Sequence, residues 1–189
     1  MLTRQQAFDL VTEHTKNPAL VKHMRIVEAC VRWYAEQLGE DVETWGRAGL
    51  LHDFDYDAHP DEHPRWGISL LESMGEDPVV IQAIAAHASE RTGVSPTSLL
   101  DKHLFACDEL SGLINACILV RPSRSVMDLE VKSVKKKLKD PTFAAGVNRS
   151  DVAEGVELIG IDLDQHISNL LTALRGKAIE LGIAGEAVS

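Results

Sequence analysis

The sequence is short of cysteine, of positive charge and of long apolar runs, and each shortage removes a class of protein. Three cysteines (Cys30, Cys107 and Cys117) are an odd number without metal-type spacing in 189 residues. They form no disulfide framework and fit a reducing, cytoplasmic setting. Lys plus Arg number 19 against 29 Asp plus Glu, a net charge of −10 with His neutral. Proteins that wrap duplexes are normally basic, so the charge speaks against a nucleic-acid polymer as partner. A small phosphorylated substrate stays open, because metal ions can supply local positive charge. No stretch approaches the roughly 18 apolar residues of a membrane span, and the opening MLTRQQAFDL lacks the apolar centre of a signal peptide. Neither a membrane span nor a secretory leader is expected. Alternating strand patterns, internal repeats and low-complexity linkers are missing as well. What is present is 44% hydrophobic and 25% charged residues. That is enough apolar surface to offset chain ordering, which excludes disorder as the main state. The length suits a single domain.

The chain reads as helix after helix. Thr3 and Gln6 form a capping box for a first helix, about Arg4 to Thr15. Pro18 opens a second, along which Leu20, Met24, Val27, Val31, Tyr34 and Leu38 recur every three or four residues until Gly39. Asp41 caps a third through Trp45, Ala48 and Leu51. The polar stretch from Asp53 to His63 is too rich in Asp and Pro for a core helix and reads as a loop. Pro64 takes the first position of a fourth helix that runs to Met74, with Gly75 as terminator. Asp77-Pro78 opens a fifth, and Ser95-Pro96 a sixth that carries Leu100, Leu104, Cys107, Leu110 and Ile114. Arg121-Pro122 breaks the chain. Ser125 and Asp128 are expected to cap a short helix containing KSVKKKLKD, and two more helices follow, about Ser150 to Ile159 and Leu163 to Leu181. The closing AGEAVS is expected to fray. The apolar face around Leu170, Leu171 and Leu174 reads either as core or as the contact of a homodimer. The expected architecture is an all-α helical bundle in one domain, 1–189.

Eight histidines are more than a chain of this size needs for packing. His23 lies on the second helix, His52-Asp53 ends the third, His63 stands at the start of the fourth, His87 closes the fifth, and Asp108 lies along the sixth. Adjacent helical residues point about 100° apart, so His52 and Asp53 can reach one ion only at an irregular helix end. Imidazole with carboxylate suits divalent first-row metals: Mn, Fe, Co, Ni or Zn. Asp108 has the apolar neighbours Leu104, Phe105 and Leu113, and a carboxylate facing a helical core must be paired or bound to metal. Taken alone, each residue has a plainer reading. His23 could be a satisfied packing histidine, His63 a loop residue beside Pro64, and His87 a helix end. Asp108 could cap or pair with Lys102. His14 and His59 read as exposed and unrelated, His103 and His166 as surface or packing residues, and Trp33, Trp45 and Trp66 as core, with Trp66 also able to line a pocket near His63.

The ordered set His23, His52-Asp53, His63, His87, Asp108 resembles the HD-domain superfamily of metal-dependent phosphohydrolases, whose motif is one His, then His-Asp, then a later Asp on a bundle of helices. His23 in LVKHMRIVEA matches the first His, His52 and Asp53 in AGLLHDFDYD the doublet, and Asp108 the last Asp. His63 in DEHPRWGISLL and His87 in IAAHAS match the two additional histidines of members with a dinuclear site. The resemblance covers about residues 15 to 120, with a helical extension over about 121 to 183. Phe54-Asp55 follows the doublet where the HDIG subgroup has Ile-Gly, and Ala88 rather than a second His follows His87.

The resemblance implies that His23, His52, Asp53 and Asp108 hold one divalent ion, and that Asp53 bridges to a second held by His63 and His87. One or two ions are expected, with Mg also admitted. Two ions about 4 Å apart clamp a phosphoryl group and lower the pKa of a bound water. Asp55, Asp57 and Glu62 are the candidates for general base or proton shuttle, and the sequence does not choose among them. Arg121 and Arg124, and the cluster Lys132, Lys135, Lys136, Lys137 and Lys139, are candidates to meet substrate phosphate. The plain reading of the lysines is a solvated helix face. Two rival functions remain: a di-iron oxygenase on the same ligand pattern, told apart by iron content and oxygen uptake, and a non-enzymatic ligand-binding or regulatory module, told apart by whether metal binds at all.

Overall fold

A computed structural model describes residues 1–185 of the protein. These form ten helices and no strand, an all-α helical bundle. The chain divides into two compact units, Met1–Phe105 and Ala106–Ser189.

The helix ends of the first unit follow local chemistry. The Thr3 hydroxyl accepts from the Gln6 N–H at 3.2 Å and the Gln6 side chain accepts from the Thr3 N–H at 2.8 Å, which opens α1 (Arg4–His14). Asn17 caps and Pro18 begins α2 (Pro18–Leu38), and Gly39 ends it in the left-handed region at φ +72°. Asp41 accepts from the Glu43 N–H to start α3 (Val42–Leu51). Pro64 stands before α4 (Arg65–Ser73) rather than inside it, because its ψ of 8° lies off the helical basin. Asp77 caps α5 (Pro78–His87). A single turn, α6 (Ser89–Thr92), follows, which the sequence does not announce. The helix expected from Ser95-Pro96 begins later, as α7 (Leu99–Leu119). Ser98 and Asp101 exchange backbone N–H bonds at 3.1 Å, a capping box that places the start at Leu99.

Within the first unit α3 packs against α1, α2 and α5, and α4 against α5. Met24, Val27, Val31, Trp45, Leu50, Leu51, Leu71 and Ile84 are buried. Gly49 allows a close approach of α3 to α2. A Cβ there would stand 2.7 Å from Val31 Cγ2 and 2.9 Å from Glu28 Cα. Because the backbone of α2 cannot yield as a side chain can, Gly49→Ala is expected to cost about 1–3 kcal/mol, read as a lower urea midpoint at unchanged m-value.

In the second unit α10 (Leu163–Gly176) packs on α8 (Val131–Leu138) and α9 (Arg149–Ile159). Leu170, Leu171 and Leu174 are buried within the chain, so this face is core. α10 stops at Gly176, short of the expected Leu181, and turns follow. The expected cap of α8 is also corrected. The Ser125 hydroxyl donates to the Ala184 carbonyl at 2.7 Å, Asp128 accepts the Arg121 guanidinium, and Glu130 holds the cap position without a side-chain bond. Ala184 forms an isolated antiparallel bridge with Ser125, and the rest of the tail expected to fray, 186–189, lies outside the described residues.

Candidate metal centre

Leu51 is the last helical residue of α3, His52 holds the cap at φ −58° and ψ −34°, and turns follow. α3 therefore ends at the doublet, with His52 still in right-handed helical geometry and Asp53 in the turns that follow. The Asp53 carboxylate stands between two pairs of imidazoles. Its Oδ1 lies 3.4 Å from His63 Nε2 and 3.5 Å from His87 Nε2. Its Oδ2 lies 3.5 Å from His52 Nε2 and 4.0 Å from His23 Nε2, and those two nitrogens are 3.3 Å apart. Ligand atoms about 2.0–2.2 Å from a common ion lie roughly 3–4 Å from one another. Asp53, His63 and His87 each offer a ligand atom within 4.8 Å of the others.

The proton positions strengthen the fit. His52 Nδ1 donates to the Gly49 carbonyl at 2.8 Å, and His87 Nδ1 donates to the Ile84 carbonyl at 2.5 Å. A carbonyl only accepts, so the proton of each neutral ring is on Nδ1 and the lone pair on Nε2. His63 Nδ1 meets the Asp55 carboxylate at 2.7 Å with the same consequence. Three lone pairs thus face a carboxylate that is also an acceptor. A cation reconciles such a set, and nitrogen-rich donors of this kind suit divalent transition metals. The side chains of His52, His63 and His87 are 4% exposed or less, whereas Asp53 is 17% and His23 21% exposed. Solvent therefore reaches the centre on the Asp53–His23 side.

Asp108 belongs to the second unit, half-buried on the third turn of α7, and its carboxylate is a candidate donor. Asp55 is 1% exposed and accepts from both His63 Nδ1 and the Gly67 N–H, the latter at 2.8 Å. Asp57 accepts from the backbone N–H groups of Lys16 and Asn17 at 2.7 and 3.0 Å. Glu62 is exposed, with His59 at 3.9 Å. Arg121 pairs with Asp128, Lys132 with Glu130 and Lys135 with Asp164. His14 and His59 are half-buried rather than exposed, because Trp66 draws both in. His59 stacks on its ring at 3.9 Å and His14 meets it edge-on at 5.0 Å. Trp66 lines an open cleft of about 380 Å³ on α4 with Glu62, Arg65, Ser69 and Leu70.

Two contributors have little signal in the sequence. Gly67 lets its N–H reach Asp55, and its only mark is a glycine inside a helical pattern. Arg91 donates to the Pro60 and His63 carbonyls at 2.8 and 3.3 Å and lies 6.0 Å over the Tyr56 ring, which ties down the turn that carries His63. On α2, burial and then the charge of Arg25 hold the Lys22 ammonium below the usual lysine range.

The HD-domain family model matches residues 20–113. Ribonuclease Y of Bacillus licheniformis is 36% identical over 96 residues, 49% of this chain and 18% of its own length. Ribonuclease Y of Bacillus subtilis (strain 168) is 35% identical over the same extent. That of Geobacter sulfurreducens is 30% identical over 159 residues, 80% of this chain and 28% of its own length. The chain thus spans less than a third of the curated relatives it matches. No solved structure matches significantly.

Proposed function

The chain belongs to the HD-domain family, and on that premise we propose that it is a phosphohydrolase cleaving the phosphate ester of a nucleotide or other small phosphorylated compound. The observation that carries this reading is the Asp53 carboxylate, with Oδ2 toward His23 and His52 and Oδ1 toward His63 and His87. We assign His23, His52, Asp53 and, by the family motif, Asp108 to one divalent transition-metal ion, and Asp53, His63 and His87 to a second. Such ions neutralise phosphoryl charge and make a bound water acidic enough to attack near neutral pH.

The chain's own residues provide the rest. Neutral imidazoles dominate the donor set, so they leave most of the cation charge to hold substrate phosphate. The partly exposed side at Asp53 and His23 admits the substrate, and the buried rings of His52, His63 and His87 wall the other side against water. Asp55 and Asp57 are both held by hydrogen bonds from other groups, which speaks against either as the proton carrier. The net charge of −10 favours a small ester over an RNA polymer, although the relatives are named ribonucleases.

The test is product release from nucleotides, simple phosphate monoesters and diesters, and an RNA oligomer. Metal-stripped protein would receive Mn, Co, Ni, Zn, Fe or Mg. Metal-dependent turnover of a small ester is expected. Turnover of RNA alone would overturn the small-ester reading, and silence with bound iron and oxygen uptake would replace it with the oxygenase. His63→Ala and His87→Ala should each lower the metal content from two ions toward one. An unchanged single ion in the parent protein and both variants would mark a mononuclear centre.

A further inference from the structure

The three oriented histidines do not obtain their Nδ1 acceptors in the same way. His52, at the C-cap of α3, and His87, at the end of α5, each use the carbonyl three residues earlier. His63 precedes α4 and stands among turns, and the carbonyl three residues before it, that of Pro60, accepts from Arg91. Its acceptor is instead a carboxylate eight residues back in the chain, Asp55.

We infer that Asp55 is a positioning residue for the second ion and not a proton carrier: one carboxylate oxygen fixes the His63 ring with Nε2 toward Asp53, and the other fastens that arrangement to the first turn of α4. The inference rests on the two-ion reading above. Three observations and one chemical argument support it. Asp55 is 1% exposed and both of its oxygens are engaged by protein donors, so neither is presented to solvent. The Gly67 N–H approaches Oδ2 to 2.8 Å, and a Cβ at Gly67 would lie 2.9 Å from that oxygen and 2.8 Å from Phe54 Cε1. Only glycine at that place lets the backbone come so close. The Tyr56 ring meets His63 edge-on at 5.2 Å, limiting its swing. Lastly, a carboxylate at Nδ1 makes an imidazole a stronger ligand than a carbonyl does. The His63 donor is therefore set by charge, whereas the His52 and His87 donors are set by helix geometry.

The experiment is titration of the metal-stripped full chain with Mn(II), comparing the parent protein with Asp55→Asn. Asn retains the size of Asp and removes the charge. The first ion should bind as in the parent and the second about 10- to 100-fold more weakly. The Co(II) absorption spectrum of the variant should also change, a response that a purely structural carboxylate would not give. Unchanged second-ion affinity together with an unchanged Co(II) spectrum would overturn the inference. A parent protein that takes up one ion or none would instead overturn the two-ion reading, so the two failures are distinguishable.

A measurement on unmutated, Zn-loaded protein covers the case in which Asp55→Asn fails to fold. A downfield, slowly exchanging imidazole N–H should appear in the proton spectrum, assigned to Nδ1 of His63 by selective labelling. Its absence would contradict the bond to Asp55.

Discussion

Asp53→Ala is expected to strip both ions, whereas removal of any single histidine strips at most one. The carboxylate lies within 3.5 Å of three imidazole nitrogens and 4.0 Å of a fourth. Loss of the charge stabilisation supplied there amounts to about 4 kcal/mol of barrier, or about 10³-fold in rate. Metal content by elemental analysis and turnover of the best substrate should fall together, while the helical circular dichroism stays unchanged. Asp53→Asn separates charge from shape and should resemble the Ala variant in metal content. A variant that kept one full equivalent of metal would show that the two pairs bind independently of the bridge.

The second large effect concerns stability and lies away from the centre. Glu76 is a buried carboxylate whose side chain has no exposed area. It accepts from Arg47 Nε at 3.2 Å, from the Leu2 N–H at 3.0 Å and from the Asp77 N–H at 2.7 Å. Glu76→Ala leaves a guanidinium and two N–H groups without this partner in a dry environment. Breaking a buried pair from one side costs about 3–5 kcal/mol. At 2–4 °C per kcal/mol for a chain of this size, the melting temperature should fall by about 10 °C. Glu76→Gln, which keeps acceptor oxygen without charge, should recover part of the loss. A drop of less than about 2 °C for the Ala variant would mean that Arg47 finds another acceptor at little cost.

Several helix ends that depend on neighbours in sequence were legible, although the Ser98–Asp101 box that starts α7 was not. Thr3 with Gln6, Pro18, Gly39, Asp41 and Asp77-Pro78 act through bonds and dihedrals a few residues long, and α1, α2, α3 and α5 begin or end at these residues. The break in α3 at His52 was legible for the same reason. Asp55 was not. In a run of aspartates and prolines each acid looks solvated, and its burial arises only when Gly67 and Phe54 close over it. His14 and His59 looked exposed because their common partner, Trp66, is distant from one of them in sequence. Ser125 and Asp128 looked like caps because Ala184 and Arg121, the groups that engage them, were not in view.

The carbonyls that orient His52 and His87 belong to Gly49 and Ile84, in the last turns of α3 and α5. The final four carbonyls of any helix have no helical N–H ahead of them. One imidazole bond therefore finishes a helix and chooses a tautomer at once, and the two tasks cannot be tuned separately. An insertion that lengthened either helix by one residue would give the orphan carbonyl a backbone partner and swing the ring by about 100°. On the proposed metal reading, the lengths of α3 and α5 would be set by the orientation of these two rings as well as by packing. In any redesign of this scaffold those two helix ends must stay in register, and α3 must also keep Arg47 as the buried partner of Glu76.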